Sequence, residues 1–421
     1  MPKPLTIPLM LALVAAPSYA EPLPSDPSGL PLLTHAQAAG LLYSEVDPSG
    51  QPAVDAGWVA VIDHGLDAYE LAIGWRNLVA PDGSPAFDGW VELVDDLQAG
   101  GLQTYFGIST IDTNNLQLPS VFVDPGNERE LAPGISFDSP MLIEAYGLLL
   151  DALIPELVAR DVFFVAVGNE VDVWLVEHPD QIQPYARFIE AARQRIHSIS
   201  PEMGVGAVLT SEVLAHPEIS SPILAASDLA VFTYYPLGPG SFDVRNPSVI
   251  EPEIDALLAL AGPKQVIFQE IGYPSGWPTS GINSSVEKQR DFVERMFDVF
   301  ASRPQIRFWS FLHLGDWDSD QLDLFAQYYG LDTPEFMEFL GTLGLFWTDG
   351  TPKPAFEAFL MGLGGCAADI NADGQINLDD LHALTQTPAD INGDGIADED
   401  DLRCLEKYLR RFEIRDLVAR P

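Results

Sequence analysis

Two stretches of this chain are apolar without a break: Val162-Phe163-Phe164-Val165-Ala166-Val167 and Val266-Ile267-Phe268. Neither alternates with polar residues, so neither suits a strand with one wet face. Both read as parallel strands covered on both sides by helices. From about residue 40 to 362, further strand candidates alternate with helical patterns. Strands are predicted at Tyr69–Trp75, Gln103–Asp112, Val162–Glu170, Val205–Thr210, Leu229–Pro236, Gln265–Pro274 and Ile306–Asp316, with a weaker one near Leu41–Val46. Helices are predicted at Ala53–His64, Asp88–Ala99, Pro140–Arg160, Gln183–Ser198, Ile219–Ala226, Glu251–Ala261, Val286–Ser302 and Pro354–Met361. Eight strand–helix units in a chain of this length fit an α/β fold closed into a (β/α)8 (TIM) barrel better than an open doubly wound sheet. Periodicity alone leaves closure open.

The two ends of the chain read differently. Lys3, the apolar stretch Leu5 to Ala16 and the small residues up to Ala20 have the order of a secretory signal peptide, so residues 1–20 are expected to be removed. The protein is therefore expected to be secreted or periplasmic, with no membrane span. The barrel is assigned to residues 21–362. After Gly362-Leu363-Gly364-Gly365, Asp and Asn recur at two-residue spacing, marking a second module at 366–409 and a tail at 410–421. Only two cysteines occur, Cys366 and Cys404. In an exported protein a disulfide between them is the expectation, worth roughly 2–4 kcal/mol, with two buried thiols as the alternative.

The charge balance narrows the partners. With 62 acidic and 21 basic residues the net charge is −41, a field that repels nucleic acid, anionic lipid and anionic polysaccharide. A neutral glycan and metal cations suit it better.

In a parallel barrel, catalytic groups project from the C-terminal ends of strands. Two strands here end in glutamate: Val167-Gly168-Asn169-Glu170-Val171-Asp172 on the fourth and Phe268-Gln269-Glu270-Ile271-Gly272-Tyr273-Pro274 on the seventh. Cleavage of a glycosidic bond needs two carboxyl groups across it, one giving a proton and one attacking or activating water. A glutamate beside an apolar strand is partly desolvated, which raises its pKa toward that of a useful acid. A lone strand-end glutamate is more often a cap or an ion pair; two of them make the joint case.

Gly168-Asn169-Glu170 closing strand four, with a second glutamate closing strand seven, resembles the clan of retaining (β/α)8 glycoside hydrolases. The resemblance implies double displacement, with Glu170 as acid/base, Glu270 as nucleophile and Asn169 holding the sugar 2-hydroxyl. Phe232-Thr233-Tyr234-Tyr235-Pro236 followed by Glu270-Ile271-Gly272-Tyr273-Pro274 is similar to the arabinogalactan endo-β-1,4-galactanase family. Val167-Gly168-Asn169-Glu170-Val171 with Glu270-Ile271-Gly272-Tyr273-Pro274-Ser275 resembles the β-1,3-glucanase family. Ile271 departs from both, which usually have a small residue there. The resemblance further implies that Tyr234 or Tyr235 bonds the nucleophile and that Trp309 on strand eight is a sugar platform. Trp75, ending strand two, is taken as a further substrate-facing aromatic, and Trp174, Trp277 and Trp317 sit on loops where an indole could meet a sugar. His313 reads as a structural, hydrogen-bonded histidine, with Asp316 beside it.

The C-terminal segments Asp369-Ile370-Asn371-Ala372-Asp373-Gly374 and Asp390-Ile391-Asn392-Gly393-Asp394-Gly395 repeat one pattern. Asp369, Asn371, Asp373, Asn377 and Asp380, with the Gln375 carbonyl, supply oxygen at the alternating positions a calcium loop needs. Asp390, Asn392, Asp394, Asp398 and Asp401, with the Ile396 carbonyl, do so again. Two Ca2+ ions are expected, and no cofactor for catalysis. With aspartate at the twelfth position and a helix only after each loop, the tandem resembles dockerin type I modules, all-α and EF-hand-like. That resemblance implies a cohesin partner; a calcium-stabilised cap is the alternative. A catalytically inactive carbohydrate-binding barrel and an assembly protein led by its dockerin-like module are the competing readings of the whole chain.

Overall fold

The computed structural model of the chain describes residues 38–363, apart from Ser44, Glu45, Asp47 and Ser280, together with residues 370, 378–389, 391, 397, 402 and 405. The signal segment 1–20, Cys366, Cys404, the tail 410–421 and the expected calcium ligands other than Asp380 lie outside the described residues.

Eight parallel strands form the centre: β1 (Ala38–Leu41), β2 (Ala68–Gly74), β3 (Gln103–Asp112), β4 (Phe164–Asn169), β5 (Gly204–Gly206 and Val208–Thr210), β6 (Ala230–Tyr234), β7 (Val266–Ile271) and β8 (Ile306–Phe311). Neighbours pair in sequence order, and β1 pairs β8. The ring is completed within β5. Its first segment pairs β4 and its second pairs β6, with Ala207 between them. The sheet is therefore a closed barrel.

Eight helices follow the strands: α1 (Gln51–Asp63), α2 (Asp88–Ala99), α3 (Pro140–Val158), α4 (Ile182–Ile199), α5 (Pro217–Ala226), α6 (Ile250–Ala261), α7 (Val286–Ala301) and α8 (Pro354–Gly362). Strand parity sorts the side chains. On β8, Phe308 points into the barrel with Ala38, Ala68, Tyr105, Phe164, Ala166, Val208, Val231 and Ile267, while its neighbour Trp309 joins the layer between sheet and helices. The inward set is a packed plug, as the narrow interior of an eight-stranded barrel demands.

β1 lies upstream of its expected place near Leu41–Val46. Its residues, Ala38-Ala39-Gly40-Leu41, have little strand propensity, so the signal was weak. They are small because the barrel is full there: a Cβ on Gly40 would stand 3.0 Å from the Phe308 ring.

Three helices were not expected: Val171–Glu177 after β4, and Ser319–Tyr329 and Pro334–Gly341 between β8 and α8. The last two are individually capped. Asp318 accepts from the Gln321 amide and completes a capping box, and Thr333 accepts from the Phe336 amide. Among the described residues no helix is long and apolar enough to cross a membrane.

In the C-terminal segment, Leu378–Gln386 is helical, and Leu384, Ile391 and Leu405 bury one another beside Ile370, Leu381, Ala389 and Leu402. Asp380 is buried, and its Oδ1 accepts from the Ile370 amide at 2.8 Å.

Candidate active site

β4 ends in a conformation that most residues avoid. Gly168 has φ 92°, and a Cβ there would lie 2.2 Å from the Tyr185 hydroxyl, so both the dihedral and the space require glycine. Glu170 follows with φ 46°, in the left-handed region, at the start of the helix Val171–Glu177. A non-glycine residue there stores strain, a feature that concentrates at functional sites. The helix is tied down by the buried Asp172, which accepts from the Thr210 amide at 2.8 Å and from its hydroxyl. Glu170 is thereby turned toward the barrel axis. Its Oε1 accepts from the Thr233 hydroxyl on β6 at 2.7 Å and its Oε2 from the Thr113 hydroxyl at 2.8 Å. Thr113 also has positive φ, 54°.

Glu270 arrives from β7, at a point where the register against β6 shifts so that Thr233 pairs with Glu270. Its Oε2 accepts from the Tyr235 hydroxyl at 2.8 Å, and its Oε1 faces the Gln269 amide at 3.4 Å. Both glutamates are half-buried. The two carboxyls share one electrostatic environment. Burial first and the Glu170 charge second push Glu270 up to about 8. Burial raises Glu170, the Thr233 and Thr113 hydroxyls oppose the rise, and the charges of Asp112 and Glu212 add to it. Two carboxyls so placed hold a shared proton near neutrality, because ionising both would leave like charges together in a poorly solvated site.

A chain of hydrogen bonds runs beneath the pair. Tyr105 donates to Gln269 Oε1, Gln269 Nε2 donates to Asn169 Oδ1 at 2.7 Å, and Asn169 Nδ2 donates to Asp112 Oδ1 at 3.1 Å. Tyr328 then donates to Asp112 Oδ2. The Asp112 carboxylate accepts and does not donate, so Asn169 turns Nδ2 toward it and Oδ1 toward Gln269 Nε2, which leaves Gln269 Oε1 facing the Tyr105 hydroxyl. One Nδ2 hydrogen of Asn169 is left over. Deeper in the barrel, Glu70 on β2 is 2% exposed; burial and the Glu270 charge hold its carboxyl well above the ordinary range.

The structure brings together Glu170, Glu270, Asn169 and Tyr235 from the expected residues. It separates the two tyrosines by parity: Tyr234 points outward, and its hydroxyl donates to Glu253 on α6 at 2.7 Å. Trp309 is likewise corrected. It is 4% exposed and packed edge-on against Phe297 and Phe359, so it is a helix-facing core residue and not a sugar platform. Trp75 is also core, 1% exposed between Phe122 and Tyr146. Trp174 is buried with its Nε1 donating to the Arg129 carbonyl at 2.8 Å, whereas Trp277 is 41% exposed. His313 is buried and bonded to the Gly315 carbonyl at 2.6 Å, as expected of a structural histidine; burial pushes it down to about 3.

Asp112, Thr113, Thr233, Gln269, Tyr105, Glu70 and Tyr328 surround the carboxyl pair without having been expected from the sequence. Asp112-Thr113 ends a strand, so the rule applied to Glu170 would have found it. Glu70 is a lone acid inside Tyr69–Ile73, a usable signal. Nothing local marks Tyr328, which belongs to a helix far along the chain.

No protein-family model matches the chain, and no curated protein matches its sequence. Solved structures do. The chain is similar to GH5_18 from Streptomyces cattleya in complex with GlcNAc, at 16% identity and a TM-score of 0.57 over 78% of this chain and 80% of that one. It is similar to native xylanase 10B from Thermotoga maritima, at 15% identity and a TM-score of 0.54 over 78% of this chain and 95% of that one. Against Bacteroides uniformis beta-glucuronidase 2 the identity is 12% and the TM-score 0.50, over 78% of this chain and 35% of that one, so the chain spans about a third of that protein's length. What these likenesses establish is the fold, a (β/α)8 barrel.

Proposed function

We propose that this chain is a retaining glycoside hydrolase acting on a β-linked neutral polysaccharide, of the galactan or β-glucan kind. The observation that carries the reading is the meeting of Glu170 and Glu270 at the C-terminal mouth of the barrel, each perturbed by burial and Glu270 by the charge of Glu170 as well. A double displacement starts with the pair's one proton on Glu170 and with Glu270 ionised, the form to which the Tyr235 hydroxyl donates. Glu270, oriented by the Tyr235 hydroxyl, attacks the anomeric carbon as Glu170 protonates the leaving oxygen. Glu170 then takes a proton from the water that releases the sugar. The free Nδ2 hydrogen of Asn169 is available to a hydroxyl of the sugar in the cleft. Support also comes from the barrels it resembles, which include a xylanase, a beta-glucuronidase bound covalently to cyclophellitol-6-carboxylate aziridine and a protein bound to GlcNAc.

The test is release of reducing sugar from galactan, laminarin, mannan and xylan, with the product anomer followed by proton NMR before mutarotation. Retention of configuration, abolished in Glu270→Ala, is expected. An inverted product, or sugar binding without turnover on every polymer, would point to another mechanism or to an inactive carbohydrate-binding barrel.

We propose further that the C-terminal segment binds two calcium ions and that the protein is exported with residues 1–20 removed. Support for the first loop is the buried Asp380 at its last position, folded back onto the Ile370 amide. That is the closure expected of a loop whose final carboxylate returns to its start. Asp369, Asn371, Asp373, Gln375 and Asp380 would hold one ion, and Asp390, Asn392, Asp394, Ile396 and Asp401 the other. Calcium would supply folding free energy to a small core. Whether the module docks to a cohesin is tested by capture of the full chain on immobilised cohesins, with and without chelator.

A further inference from the structure

The 42 residues between β8 and α8 (312–353) are far more than a barrel connection needs, and they do not hang free at the surface. The helix Ser319–Tyr329 ends against the loops after β3. Asn114 Nδ2 donates to the Tyr329 carbonyl at 2.9 Å, and Asn115 Nδ2 and Arg129 Nη2 donate to the Tyr328 carbonyl at 3.0 and 3.1 Å. The Tyr328 side chain reaches Asp112 and accepts from Gln117 Nε2. Gly330, with φ 68°, ends the helix in the left-handed cap that lets Arg129 approach; a Cβ there would stand 2.9 Å from its guanidinium. The next helix, Pro334–Gly341, is anchored on the far side. Glu338 accepts from the amides of Trp277 at 3.0 Å and Gly281 at 2.8 Å, in the loop after β7. Phe339 packs edge-on against Tyr235 and beside Phe242. Between the anchors, the ring of Tyr329 contacts Phe325 and Phe336, and its hydroxyl is pushed well up by burial and by the charges of Asp112, Glu170 and Glu270.

The segment therefore crosses the mouth from the β3 side to the β7 side, pinned at both ends, with an aromatic underside turned to the carboxyl pair. A polysaccharide entering mid-chain must leave by both ends of a groove. Here helices pinned at both ends, not a loop that could swing aside, stand on one side of the carboxyl pair. Building on the glycosidase reading, we infer that this roof turns the cleft into a blind pocket, so that the protein takes the terminal sugar of a β-linked chain or a short oligosaccharide and acts from a chain end. The aromatic underside is the packing face for that terminal ring.

The full-length Glu270→Gln variant separates binding from turnover. Titrated calorimetrically with galacto- and gluco-oligosaccharides from disaccharide to hexasaccharide, it is expected to gain affinity only to about three sugar units and then no more, because a pocket has no further subsites. Affinity climbing steadily to the hexasaccharide overturns the pocket while leaving the glycosidase reading intact. Absence of binding to every sugar, with no turnover by the wild type, removes the glycosidase reading and this inference with it. In wild-type turnover, reducing ends should accumulate with little loss of polymer viscosity; an early collapse of viscosity also overturns the pocket. Unpinning the roof with Asn114→Ala, Asn115→Ala and Arg129→Ala together is expected to raise viscosity loss per bond cleaved by about tenfold. An unchanged ratio in that variant, with the fold retained by circular dichroism, assigns no blocking role to the roof.

Discussion

Two groups of acids at the same end of the barrel, one half-buried and one fully buried, behave oppositely. At the top of β4 and β7, Glu170 and Glu270 are supported by hydroxyls and an amide, and the charge of Glu170 raises the proton affinity of Glu270. Below the end of β8, Asp316 is 3% exposed and meets the Nζ of the buried Lys353 at 2.6 Å. Lys353 also donates to Ser275 Oγ at 2.9 Å and lies over the Trp347 ring at 4.5 Å. Burial pushes Asp316 up to about 6, and the lysine opposes that rise. A buried acid given its own cation is structure. One that faces another acid and is only half-buried is poised for chemistry. The difference lies in what the fold places opposite the carboxyl, not in the carboxyl.

The two groups should differ most under mutation of the carboxyl pair. Glu270→Ala should lower turnover by at least about a thousandfold with the fold intact, measured on whichever polymer is cleaved. Lys353→Met should do the reverse, costing about 3–5 kcal/mol in urea unfolding because Asp316 is left buried without its cation. Restoring much of that loss with Asp316→Leu in the same chain would sharpen the point; no loss in the single variant would sink it.

The stability of the pair has a definite pH sense. The shared proton of the pair, which raises Glu270 to about 8, is held above the ordinary carboxylate value, so between the two the folded state keeps a proton that the unfolded chain has shed. Stability therefore falls as pH rises through that window, and the contribution is whole only below it. Glu270→Gln removes this loss, so its unfolding free energy should exceed that of wild type by about 1–2 kcal/mol at pH 8 and converge with it near pH 5. Equal stability at both pH values would place the shared proton elsewhere.

The smallest effects separate the adjacent tyrosines. Tyr235→Phe should cut turnover about tenfold with little change in stability, whereas Tyr234→Phe should cost about 1 kcal/mol through the Glu253 contact and leave turnover alone. Interchanged results would reverse the parity assigned to β6.

Much of this was legible in the sequence. β3 and α2 fall where expected, and the glutamates closing the fourth and seventh strands are the ones that meet. What went unread follows one pattern. Tyr234 and Trp309 were assigned to the site from a family resemblance and Trp75 from its place at a strand end, but a strand sends alternate side chains to opposite faces. A displacement of one residue decides between barrel and helix layer. The helices Ser319–Tyr329 and Pro334–Gly341 lacked any periodic link to the site, because their role depends on contacts with Asn114, Arg129 and Trp277 far away in the chain.

Local periodicity and backbone sterics, readable along the chain, set the alternation of strand and helix, the acids at two strand ends and Gly168 two residues before Glu170. Which aromatic faces the cleft, which buried acid has a cation, and where the segment after β8 is pinned follow from long-range packing. Those depend on barrel closure, which joins residues that nothing in their own neighbourhoods could have paired.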